Sequence, residues 1–124
     1  MVECEFLSDN LLVERFSGVV TVEDIIELKR QEFGHRLYSP AMGVLIESDP
    51  DVPCLPPESI GKLLAFYNDN LNRIRGQRIA VLIEGSRQEI INSHVAYLMK
   101  KYVTEIHIQL FSSREMAIKW LVNG

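Results

Sequence analysis

Gln77-Arg78-Ile79-Ala80-Val81-Leu82-Ile83-Glu84 is the stretch on which the fold turns. Five consecutive apolar residues, Ile79 to Ile83, stand between charged neighbours. A run of this length fits a strand covered on both faces, as in the middle of a sheet packed with helices. A buried helical turn has the same composition, but Gly76 before the run and Gly85 after it favour a strand.

Working outward, the residues before the run form the clearest amphipathic pattern in the chain. Ile60, Leu64, Tyr67, Leu71 and Ile74 recur at steps of four and three, which predicts one helix ending at Gly76. Asp49 to Pro57 contains Pro50, Pro53, Pro56 and Pro57 and is irregular, with Pro56 or Pro57 suited to the first turn of that helix. Gly43 to Glu47 is a further short apolar strand.

After the run, Ser86-Arg87-Gln88-Glu89 reads as an S-x-x-E capping box. The helix it opens carries Ile91, Val95, Leu98, Met99 and Tyr102 on one face. Ile106 to Phe111 alternates as a strand with one wetter face. Ser112-Ser113-Arg114-Glu115 supplies a second box, and Met116, Ala117, Trp120 and Leu121 anchor the last helix.

At the other end, Glu3 to Leu7 alternates, with Cys4 and Phe6 on one side. Ser8-Asp9-Asn10 is turn chemistry, and Leu11 to Ser17 reads as the second strand of a hairpin. Polar Glu14 and Arg15 keep that strand off the sheet centre. Thr21 caps a helix with Asp24 three residues on. Val22, Ile25, Ile26 and Phe33 form its buried stripe, and Gly34 is placed to close it in a left-handed cap. Helices alternating with strands imply right-handed crossovers. The expected fold is therefore α/β: a mixed, mostly parallel five-stranded sheet with about four helices, in one domain spanning residues 1–124.

Composition bounds the function. The 124 residues are 47% hydrophobic and 24% charged with a net charge of −4, an ordinary globular balance. No basic stretch is long enough to suggest nucleic acid, and Arg73, Arg75 and Arg78 crowd a turn as solvated charge. Cys4 and Cys54 lack metal-type spacing and read as two ordinary thiols. The acidic start is no signal peptide and no apolar run approaches a transmembrane segment, so the expectation is a soluble cytoplasmic protein.

Phe16-Ser17-Gly18, then Thr21, Glu23 and Asp24, resembles the strand-to-helix start of small bacterial STAS-type proteins, the SpoIIAA-like fold. The founding members of that family are anti-sigma-factor antagonists. Arg78-Ile79-Ala80-Val81 is similar to their central strand. Phe111, Glu115, Ala117, Trp120 and Leu121 are similar to their closing strand and helix. The resemblance implies a mixed sheet built by successive β-α turns, no catalytic residues in the simplest members, and work through protein partners or through bound nucleotide or lipid. The antagonists carry an Asp-Ser-Ser-Gly-like stretch whose serine is phosphorylated by the partner kinase. Here that place reads Glu47-Ser48-Asp49-Pro50, so a switch at Ser48 would act by repulsion against Glu47 and Asp49.

Ligands of open α/β sheets sit beyond the carboxyl ends of the strands. Those ends offer Glu47, Ser48, Asp49, Glu84, Ser86, Ser112 and Arg114, which suit a small anion at the helix starts. Alternatively, Glu47, Asp49 and Glu84 suit a hard cation serving a metal-dependent enzyme. His35, His94 and His107 are too dispersed for a metal set, and no catalytic residues or cofactor are read. Leu63, Phe66, Ile90, His94 and Tyr97 lie beside the core stripes, and an apolar patch there would mark a partner surface or homodimer interface. The leading expectation is a non-enzymatic interaction or regulatory module, ahead of a carrier for a small apolar or amphipathic ligand.

Overall fold

The apolar run is a strand, Arg78–Leu82, with Ile79, Ala80 and Val81 buried. A computed structural model describes residues 1–53 and 55–123, the side chains of 86–91 excepted. In chain order the described elements are β1 (Val2–Ser8), β2 (Leu11–Phe16), α1 (Val22–Gly34), β3 (Gly43–Ser48), α2 (Pro57–Asp69), α3 (Leu71–Ile74), β4 (Arg78–Leu82), α4 (Ser86–Tyr102), β5 (His107–Phe111) and α5 (Arg114–Asn123).

The five strands lie in sequential order, β1 antiparallel to β2 and the remaining neighbours parallel. The strand over 78–82 is thus interior with parallel neighbours on both sides, but the middle position belongs to β3. Strands advancing in one direction through crossovers of one hand place their helices on one face. Accordingly Val22 and Ile25 of α1, Leu63 and Tyr67 of α2, Ile74 of α3 and Met99 of α4 share one core with Leu12, Val44, Ile79 and Ile108 of the sheet. Among the described residues only α5 crosses to the opposite face, where Ala117 and Leu121 pack on Leu11, Val13, Leu45 and Ala80. Among the described residues no helix is long and apolar enough to cross a membrane.

Several local expectations hold. Thr21 Oγ1 accepts from the Asp24 N–H at 3.1 Å while the Asp24 carboxylate accepts from the Thr21 N–H at 3.0 Å, a reciprocal box. Those bonds to its charged form hold the Asp24 carboxyl below its ordinary range. Pro57 opens α2, and Cys4 and Phe6 face inward from β1.

Others are corrected. Gly34 is the last residue of α1, followed by an extended His35, and takes no left-handed cap; the left-handed glycines are Gly18, Gly76 and Gly85. The helix expected over 60–74 breaks at Asn70, whose side-chain amide donates to the Phe66 carbonyl at 2.8 Å and so competes with the helical ladder. At α5 the cap is Ser113, not Ser112: its hydroxyl accepts from the Met116 N–H at 3.3 Å, while Ser112 is exposed. At α4 the capping position falls on Gly85, so Ser86 begins the helix, and the box proposed for its side chain lies outside the described residues. Tyr102 and Met116, expected in buried stripes, are exposed; Ala96 and Val103 take the inward places in and after α4.

The three arginines serve separate tertiary contacts. Arg73 donates to the Phe33 carbonyl at 3.1 Å, Arg75 pairs with Glu105 at 3.2 Å, and Arg78 donates to the Trp120 carbonyl at 3.1 Å with its guanidinium over the indole.

Candidate functional site

The inward face of β2 runs Leu12, Glu14, Phe16. A charged residue at the middle of such a face has water neither above nor below it. Glu14 is 1% exposed. The strand does lie off the sheet centre, beside β3, as its polar residues predict, yet Glu14 itself is buried, and its counter-charge is buried with it.

That counter-charge is Lys29, on the buried side of α1 and 0% exposed. Its Nζ lies 2.6 Å from Glu14 Oε2, a close ion pair whose angle departs from an ideal hydrogen bond. Glu32, one turn further along the helix, brings Oε1 to 3.3 Å of the same ammonium. The Lys29 ammonium also stands over the Tyr67 ring of α2, 5.7 Å from its centre. The stripe of α1 is consequently not the purely apolar one expected; Lys29 and Glu32 are inside, while Ile26 and Phe33 are only half-buried.

Two carboxyls against one ammonium leave an excess negative charge unless one holds a proton. Burial, then the neighbouring Glu14 carboxylate, pushes Glu32 up to about 9. Burial also opposes ionisation of Glu14, but the Lys29 charge and a hydrogen bond from Glu32 outweigh it and hold Glu14 below its ordinary range. Burial alone would lower Lys29; Glu14, Tyr67 and Glu32 raise it well above its ordinary value. At neutral pH the triad is therefore Glu14 carboxylate, Lys29 ammonium and protonated Glu32, with no net charge. Glu32 Oε2, which meets no donor among the described residues, is the oxygen free to carry that proton.

This assignment fixes the sign of a pH dependence. An acid whose folded pKa exceeds its unfolded one stabilises the fold fully below the unfolded value, and that contribution is lost as pH rises through the folded value. The Glu32 contribution should therefore decline from about pH 5 to about 9. We expect the denaturation midpoint to fall over that range and Glu32→Gln, which keeps a neutral donor, to flatten the slope. Parallel slopes for the two proteins contradict a protonated Glu32.

Above the triad lies a cavity of about 150 Å³ between the sheet and α1, α2 and α4. Glu14 and Tyr67 lie on one part of its lining, and Phe16, Ile46, Ile79, Val81, Met99 and Ile108 supply apolar walls. Ser48, Val52, Pro53 and Leu55 line it from the carboxyl end of β3 and the proline-rich segment.

Of the residues expected at the strand ends, Glu47, Ser48, Asp49, Glu84 and Arg114 do come together, in a second hollow that shares Phe16 and Ser48 with the cavity and also includes Arg15 and Leu82. There Arg114 Nε meets Glu47 Oε1 at 2.6 Å and Arg15 Nε lies 3.5 Å from Glu47 Oε2. Arg15 also reaches Glu5 at 3.4 Å, so the charges run Glu5, Arg15, Glu47, Arg114 across the outer face. Both guanidiniums are engaged by Glu47, and a cation there would have to displace them. Among the described residues no three His, Cys, Asp or Glu side chains gather to hold a metal ion. Ser112 is not in this hollow, and the side chain of Ser86 is outside the described residues.

The expected apolar surface divides. Leu63 and Phe66 are each 8% exposed and belong to the core, because α2 is clamped between α1 and α4 and buries a broad face. Their reading as interface residues is corrected. His94 and Tyr97 are exposed, and the Ile90 side chain lies outside the described residues. His35 stacks on Phe6 at 4.3 Å and His107 faces outward. Cys4 stands opposite Glu14 across the hairpin, and burial with the nearby Glu32 and Glu14 charges pushes its thiol up to about 11. It is held as a poor nucleophile; Cys54 is outside the described residues.

The class the geometry defines is a sequentially ordered, mixed α/β domain with a polar-floored apolar cavity in its helical layer. Comparison with family models, characterised proteins and solved structures finds no match to this chain.

Proposed function

We propose that this chain is a non-enzymatic binding module that holds a small, largely apolar molecule in the cavity between its sheet and helices. The observation that carries the reading is Glu14, a buried carboxylate with its own counter-ion, forming part of the lining of a largely apolar cavity whose other polar residues are Ser48, Tyr67 and Asn92. Ligand sites combine apolar walls with a few placed polar groups in this way. A mixed sheet built by successive β-α turns is what the STAS resemblance implies, and within that reading the ligand would tune a cytoplasmic regulatory protein.

The test is native mass spectrometry of protein purified from its own host, with Val81→Phe as the filled-cavity control. A discrete added mass, lost in the variant, is the expected result. Bare protein, together with no thermal stabilisation by a panel of small apolar compounds, contradicts the proposal.

A second reading, a protein-interaction surface on α4 used by a partner or in a homodimer, draws on one observation. Tyr97 and Tyr102 are 58% and 51% exposed, with the Lys101 ammonium 6.0 and 5.3 Å from their ring centres. Light scattering decides the homodimer: a monomeric mass at high concentration, unaffected by Tyr97→Ala, removes it.

A further inference from the structure

We propose that the cavity selects uncharged molecules bearing a hydroxyl on a short apolar body, with the hydroxyl donating to Glu14. The inference rests on the ligand-binding reading above and adds the chemistry of the head group.

Three observations lead to it. First, the Glu14 carboxylate is acceptor-only, so what meets it from the cavity must donate. Second, the charge beneath is already balanced, Lys29 lying 2.6 Å from Glu14 and 3.3 Å from Glu32. A carboxylate head would face Glu14 directly, and an ammonium head would bring a second cation beside Lys29. Either would be a charge without a counter-ion taken out of water into largely apolar walls, where the neutral Ser48 and Asn92 offer no balancing charge and the desolvation cost exceeds what a hydrogen bond returns. A hydroxyl brings one donor and no charge. Third, the accessible volume of about 150 Å³ accommodates a body the size of a benzene ring or a chain of about six carbons. Ile46, Ile79, Val81 and Ile108 offer that body apolar contact, and Ser48 and Asn92 are neutral polar residues elsewhere in the lining.

The experiment is calorimetric titration of the whole chain at pH 7 with 1-hexanol, its isomer 1-methoxypentane, hexanoate and hexylamine. The ether has the alcohol's formula and can accept but not donate. Hexanol should bind roughly tenfold more tightly than the ether, the ratio expected for one hydrogen bond to a charged acceptor. Neither charged probe should saturate. In the paired variant Glu14→Leu/Lys29→Met, which removes both charges together, the ratio of alcohol to ether should fall to about one. Ether binding equal to alcohol, tighter binding of either charged probe, or a preference that survives in the paired variant overturns the head-group assignment and leaves the ligand site standing. Failure of all four probes removes both the assignment and the binding reading beneath it.

Discussion

Lys29→Met is expected to cost about 3–5 kcal/mol of folding stability, because it leaves Glu14 buried beside a second carboxyl with no cation. That is a large part of the roughly 5–15 kcal/mol by which a domain of this kind is stable. The loss comes from an uncompensated charge rather than from a missing attraction, so its size depends on what stays behind. Removing Glu14 as well, as Glu14→Leu/Lys29→Met, should restore most of it, since a buried pair replaced by apolar groups of similar volume is often neutral or better. Urea denaturation of the two variants separates the accounts. A single variant as stable as the wild type would mean that Glu14 reaches solvent.

Gly43→Ala should cost about 1–3 kcal/mol, a large effect for one methyl group. Gly43 begins β3 where α5 crosses the sheet. A Cβ placed there would stand 2.7 Å from the Leu121 Cβ and 3.2 Å from the Leu121 carbonyl oxygen. The side chain could turn away, but the Cβ and carbonyl belong to the helix itself. The whole of α5 would have to lift from Leu11, Val13 and Ala80. Measured in a Leu121→Ala background, where only the distal part of the clash is relieved, the cost should shrink without vanishing. An unchanged denaturation midpoint for Gly43→Ala would show that α5 rests on the sheet less closely than these distances require.

The sheet was legible because its strands obey simple periods. The run over 79–83, the alternation in Glu3–Leu7 and the helices between them decide topology with no need for side-chain chemistry. The cavity was harder to see, since composition treats a buried ion triad as surface charge. Yet the signal was there in phase. Glu14 sits between Leu12 and Phe16 on the inward alternation of β2. Lys29 falls four residues after Ile25, and Glu32 three after Lys29, on the buried side of α1. Reading polarity alone puts these residues outside; reading position puts them in.

The strand-end cluster shows the reverse. Topology alone brought Glu47, Asp49, Glu84 and Arg114 to one place, and this was foreseeable. That Glu47 would be held between Arg15 and Arg114 was not, because it depends on which long side chains reach across β2 and α5. Leu63 and Phe66 were ambiguous for a related reason. One amphipathic helix pattern fits a narrow stripe or a broad face, and only the packing of α2 between its neighbours decides.

The most direct test of the account is to locate a bound probe within the fold. Methyl-resolved NMR spectra recorded during a 1-hexanol titration should show saturable shifts at Ile46, Ile79, Val81 and Ile108, on the helical side of the sheet. Val13, Leu45 and Leu121, which pack with α5 on the far side, should stay in place. Shifts centred on the α5 side, or none that saturate, would contradict the assignment of the cavity as this protein's working site.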